Sequence, residues 1–193
     1  MDYKGAKKYI LNRLKNELDE KYTYHGVHHT LDVFRVTTSL STSEKISKKN
    51  TVLLKTAALF HDSGFLYVYK GHEEKSCELV SEILPSFEYS ALDIQKIHGM
   101  IMSTQIPQSP RNALEEIICD ADLDYLGRDD FEEISGSLFQ ELCNCDMITD
   151  IDVWNNIQIS FIGAHQYFTE TNKTTRESVK QKHLSMLKSS FQI

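Results

Sequence analysis

Residues 51–60 (TVLLKTAALF) are apolar on almost every side, and His61 and Asp62 follow directly. A helix with no polar face belongs in the middle of a core. A histidine and an aspartate at its end are costly there unless something compensates them, and a divalent cation is one such compensator. The rest of the chain favours helices too. Its 193 residues include only 8 Gly and 3 Pro, too few breakers for the many turns of a β-sandwich. The expected fold class is all-α, a compact helical bundle.

Apolar spacing predicts helices over 2–19, 27–43, 49–62, 72–84, 90–104, 111–126, 129–142, 150–168 and 173–189. The third stops at Ser63-Gly64, the fourth at Pro85 and the sixth at Gly127. The last opens on Thr174-Thr175-Arg176-Glu177, a capping-box pattern. Residues 65–71 (FLYVYKG) form an aromatic connection that leaves room for a short strand. The length suits one domain over 1–193, with its motif core at about 24–126 and helices from about 129 to 189 packed on it.

The net charge of −7 argues against general affinity for nucleic-acid duplexes or anionic membranes. No run of 18 apolar residues occurs, so no transmembrane helix is expected. The first residues carry no apolar block ahead of a cleavage site. With four cysteines and only a lone C-x-C at Cys143 and Cys145, free thiols in a reducing cytoplasm are the expectation.

Two further segments carry polar groups toward the core. In YHGVHHT (24–30), His25 and His29 stand four apart and share a face if the turn is already helical. His29 continues into the stripe Val33, Val36, Leu40 and so points inward, whereas His28 lies with Asp32 and Arg35 on the polar side. In CDADLDYLG (119–127), helical register puts Asp122 with Ile118, Ala121 and Tyr125, inward. Asp120 and Asp124 fall with Glu116, as solvated or supporting groups. An inward carboxylate without a cation is unfavourable. Two His and two Asp make a mixed nitrogen and oxygen set suited to one Mn, Fe, Zn, Co or Ni ion, and less comfortably to Mg.

The order H…HD…D, with H-x-x-x-H-T before it and A-D-L-D after it, resembles the HD domain superfamily of metal-dependent phosphohydrolases. The resemblance implies metal ligands at His29, His61, Asp62 and Asp122. It also implies hydrolysis of a phosphate ester in a nucleotide or related small molecule, by attack of metal-bound water on phosphorus. His72 begins HEEKS, similar to the H-x-x-x-[GS] segment in which relatives place a ligand for a second ion. Those relatives supply a further His in an I-x-x-H setting, where this chain has Thr104. His98 lies about 120° away around the helix. A second metal is therefore doubtful, and His72 is left to assist substrate phosphate or the leaving group.

By analogy with cyclic-nucleotide phosphodiesterases, His25 is the proton donor to the leaving oxygen, beside Asp62 and His72 as catalytic residues. Candidate substrate contacts are Thr104, His165 and the basic stripe Lys173, Arg176 and Lys180, with Arg128 as a further phosphate contact. His165 equally suits a satisfied core histidine, and the basic stripe a solvated face. The rings of 65–69 could stack on a base. Two other classes remain open: a di-iron oxygenase of the HD fold, which needs a sixth ligand where Thr104 stands, and a non-catalytic sensor that binds metal and nucleotide. The expected partner is a phosphorylated small molecule, and an oligomer is compatible with the sequence.

Overall fold

A computed structural model describes residues 1–190, and among them there are helices and no strand. The chain runs through α1 (Tyr3–Glu17), α2 (Val27–Ser43), α3 (Lys48–Phe60), α4 (His72–Ile83), α5 (Ala91–Ser103) and α6 (Ala113–Asp122). It continues through α7 (Phe131–Asn144), α8 (Ile151–Ala164), α9 (Glu170–Thr175) and α10 (Glu177–Ser190). The last three positions of the expected 1–193 unit lie outside the described residues. No described helix is long and apolar enough to cross a membrane.

The starts of these helices follow local chemistry. Asp2, Ser47, Asn112, Asp150 and Thr169 each accept a backbone N–H of the first turn they precede, and Ser90 with Asp93 forms a reciprocal capping box on α5. The predicted box at Thr174 does not form. Thr174 instead donates to the carbonyl of Glu170, and the expected single helix 173–189 is two, α9 and α10. Helix α8 ends at Ala164, four residues before its predicted end. The 65–71 connection makes no strand; residues Ser63–Leu66 form a turn of 3-10 helix.

As its composition demands, α3 is the central helix. Leu53, Leu54, Ala57, Ala58, Leu59 and Phe60 are all buried, and α1, α2, α5 and α6 pack around them. A second, smaller apolar cluster gathers Leu123, Tyr125, Leu126, Phe131, Ile162 and Leu184. There α10 packs on α8 and on the 3-10 turn Asp124–Gly127. The end of α3 and the end of α6 meet at the boundary of the two clusters.

One close contact holds this boundary in place. The Ser76 hydroxyl, fully buried on α4, donates to the His61 carbonyl at 2.6 Å and accepts from the Gly64 N–H at 2.8 Å. The backbone of Gly64 lies so near that a Cβ would fall 2.0 Å from the His72 carbonyl oxygen. Position 64 therefore excludes any side chain, and position 76 needs a small hydroxyl. Gly64→Ala must push α4 away, and overpacking of this kind costs about 1–3 kcal/mol. A lowered urea midpoint is the expected result, and an unchanged one would show that the two segments are not locked.

Candidate metal centre

His61 stands at the C-cap of α3, where regular helix gives way to the 3-10 turn. Its Nδ1–H donates to the Ala58 carbonyl at 2.9 Å. That bond leaves Nε2 with its lone pair outward, the arrangement that ligating imidazoles need. His29, in the first turn of α2, aims its own Nε2 to within 3.3 Å of it. Asp122, the last residue of α6, places Oδ1 3.1 Å from His29 Nε2 and 3.5 Å from His61 Nε2. Asp62 Oδ2 lies 3.3 Å from His29 Nε2 and 3.2 Å from His61 Nε2. Three separate helix ends thus bring the four residues into one buried cluster.

The donor set fits a divalent cation. Ligand atoms of His29, His61 and Asp122 all lie within 4.8 Å of one another. Atoms around an ion bound at about 2.1 Å stand roughly 3.0–3.4 Å apart, close to the observed spacings. Asp62 Oδ2 is buried and makes no hydrogen bond despite its proximity to both imidazoles. An orphaned carboxylate oxygen is unfavourable unless a cation serves it. The electrostatics agree. Burial alone would lower the His29 pKa, but the hydrogen bond with Asp122 and the nearby Asp62 charge raise it to about 9. Burial would raise that of Asp122, yet the two imidazoles bring it down to about 2. The pocket is built for positive charge between the carboxylates.

A cavity of about 240 Å³ opens on the cluster. Asp62, Asp122, His25, His72, Glu73 and Thr104 form its polar end. Trp154, Phe161, Phe131 and Leu138 help form the apolar remainder, and among the described residues no Lys or Arg is on its walls. His72 turns Nε2 toward Asp62 Oδ1, 3.6 Å away, and toward Glu73 Oε1 at 3.5 Å. Its Nδ1–H donates to the Tyr69 carbonyl. Thr104 donates its hydroxyl to the Ile101 carbonyl at 2.7 Å. His98 bonds Ser81 instead.

His25 lies just outside α2, because the helix starts at Val27 with Gly26 as its cap. It therefore does not share a helical face with His29. Its ring stacks on Phe65 at 4.1 Å, and Phe65 stacks on His72 at 4.1 Å. Phe65 is thus occupied between two imidazoles rather than offered to a base. The His25 Nδ1 meets Glu141 Oε1 at 2.5 Å, and Glu141 Oε2 accepts the backbone N–H groups of Tyr24 and His25. Glu141 is fully buried on α7. Burial would raise its pKa, but the bonds from His25 hold it below the usual range. Sequence reasoning missed this residue, since a glutamate in an otherwise mixed helix carries no local signal.

The other candidates lie elsewhere. Lys173 pairs with Glu170 at the surface, and Arg176 with Asp124. Arg128 bonds Asp32, Asp124 and Asp130. Lys180 is completely buried. None of the four reaches this cavity, so no basic stripe closes over it. His165 borders a second cavity. Asp120 and Asp124 are buried rather than solvated. Asp120 accepts from Phe168 N, Thr169 N and Thr169 Oγ1, and so ties the end of α6 to the start of α9.

No protein-family model matches the chain. The crystal structure of a predicted HD superfamily hydrolase from an uncultured Thermotogales bacterium is similar, with a TM-score of 0.63 at 18% identity. The match covers 95% of this chain and 90% of that one. The chain shares that structure's helical fold. It is also 32% identical over 97 residues to a Clostridium beijerinckii protein described as uncharacterized. That match takes in 49% of this chain and spans 61% of the relative's length.

Glu141 generates a prediction of its own. Glu141→Ala strands two backbone N–H groups and the His25 ring, a loss of about 2–4 kcal/mol of stability. Denaturant unfolding should show it, and a midpoint equal to wild type would mean that the carboxylate does not hold the 24–25 segment.

Proposed function

We propose that this chain is a metal-dependent phosphohydrolase, acting as a single domain on a small phosphate ester in the cytoplasm. The observation that carries the reading is the orphaned Asp62 Oδ2 among His29, His61 and Asp122, at the polar end of an otherwise apolar cavity. The fold shared with a predicted HD superfamily hydrolase supports it.

His29, His61, Asp62 and Asp122 would hold one divalent ion of the Mn, Fe, Co, Ni or Zn type. When bound, such an ion supplies Lewis-acid stabilisation of a phosphoryl group and acidifies water. The protein's own residues do the rest. The Glu141 carboxylate fixes His25 through Nδ1 and leaves Nε2 as the atom that can hold a proton for the leaving oxygen. Phe65 keeps the His25 and His72 rings apart and oriented. His72 and Thr104 line the same cavity and would be the neighbours of a phosphoryl oxygen bound there. With no Lys or Arg on the walls among the described residues, the cavity favours one phosphate on a flat or apolar body over a polyphosphate.

Two kinetic outcomes test this. Inorganic phosphate release from a panel of nucleotides and sugar phosphates, with Mn, Co, Ni or Fe added, should be present in wild type and abolished by Asp62→Ala. No release from any substrate would remove the proposal. His25→Ala should lower kcat about 10²–10⁴-fold for alkyl phosphates with little change in KM. The loss should be much smaller for p-nitrophenyl phosphate, whose leaving group needs no proton. Equal losses for both would take the proton-donor role from His25.

A further inference from the structure

The His/Asp cluster takes one end of its cavity, and the other end has little to offer a polar molecule. Leu126, Phe131, Leu138, Trp154, Phe161 and Ile162 stand there. Gln158 brings the one side-chain amide on the walls, and it is already engaged at both ends. Ser135 donates to its Oε1, and its Nε2–H donates to Asn155 Oδ1 at 3.3 Å. The Trp154 indole offers at most one donor and no acceptor. A base edge needs both, and a sugar brings several hydroxyls that would give up water without replacement.

The apolar lining also runs out to the surface. Ile106 and Ile157 are wall residues of this cavity, yet they are 51% and 43% exposed. Beyond Ile157 the outer face of α8 continues with Val153, which is exposed as well. The cavity, at about 240 Å³, is smaller than the roughly 300–1,000 Å³ of pockets that enclose a whole drug-sized ligand. A longer ligand therefore leaves it past Ile106 or Ile157, over apolar side chain all the way.

We propose that the substrate is an amphiphile, the phosphate monoester of an unbranched apolar chain. Its phosphate lies at the His/Asp cluster, its first carbons pack among Leu138, Phe161 and Ile162, and the rest emerges over Ile106 and Ile157. Hydrolysis breaks the bond between phosphorus and the chain oxygen. Water supplies the new oxygen on phosphorus and, in balance, the proton of the released alcohol. The proposal rests on the phosphohydrolase reading and names its substrate class, but its binding test needs no turnover.

Trp154 is the single tryptophan of the chain and stands on the cavity wall, so its fluorescence reports occupancy. The probes are butyl-, hexyl- and octylphosphonate, each below its micelle concentration, whose C–P bond resists hydrolysis. Wild type should bind them about two- to four-fold more tightly for each added methylene. The double substitution Ile106→Asp with Ile157→Asp falls on two half-exposed side chains, and circular dichroism checks that the variant is folded. It should cut the gain from hexyl to octyl to less than about two-fold. That gain is read within each protein, so a uniform loss of affinity does not imitate it. Equal affinity along the series in wild type, or the same gain in the variant, overturns the proposal. Turnover of adenosine 5′-monophosphate or glucose 6-phosphate as efficient as that of octyl phosphate overturns it too, while leaving the phosphohydrolase reading intact. A chain-length gain lost in the variant, in a protein that hydrolyses nothing, supports the amphiphile site and removes the phosphohydrolase reading.

Discussion

Everything near the centre of this protein is arranged around four polar side chains that cannot satisfy one another. His29, His61, Asp62 and Asp122 stand 3.1–3.5 Å apart along the contacts that link them, in the interior, and one carboxylate oxygen makes no hydrogen bond. Such a group is unfavourable by itself, because each buried charge loses hydration that its neighbours replace only in part. A cation among them reverses the balance. The two apolar clusters on either side then have a second role: they hold three helix ends in register, so the donor atoms need not be gathered when an ion arrives.

The boundary around the cluster is built from backbone as much as from side chains. Ser76 bridges the His61 carbonyl and the Gly64 amide. Glu141 bridges the Tyr24 and His25 amides from a helix more than a hundred residues away in sequence. Asp120 and Asp124 bind the end of α6 to the segment 168–176. Ser76 donates one bond and accepts another, and Glu141, Asp120 and Asp124 are each a buried acceptor with more than one donor; such paired bonds fix chain direction more firmly than a single contact. These ties converge on segments that neighbour the ligating positions.

How much of this was legible in the sequence depended on whether local periodicity still held. It held for α3, whose all-apolar composition assigns it to the centre, and for His29, which lies in the apolar stripe of α2. It picked out Asp122 as well. For Asp120 and Asp124 it allowed solvated or supporting groups, and they are buried supporting ones, because a wheel assumes one buried face while the end of α6 is covered on both sides, by α2 and by the 168–176 segment. It failed for the expected 173–189 helix, where the chain breaks at Arg176 and Asp124 takes the guanidinium. Glu141 was invisible for a different reason: its partners, Tyr24 and His25, are remote in sequence, and long-range pairs leave no trace in a window of a few turns. The basic stripe of Lys173, Arg176 and Lys180 was legible as a pattern, yet each charge is spent on a neighbouring acid or carbonyl.

The central claim is that positive charge from a metal ion completes the cluster. Elemental analysis of purified protein, as isolated and after loading with Mn²⁺, tests it most directly when wild type is compared with Asp62→Asn, which keeps the side-chain shape and removes the charge. About one divalent ion per chain in wild type, and loss of that ion in the variant, is the predicted result. No bound ion under any loading, or equal occupancy in the two proteins, would contradict the account and leave the four residues to a purely structural explanation.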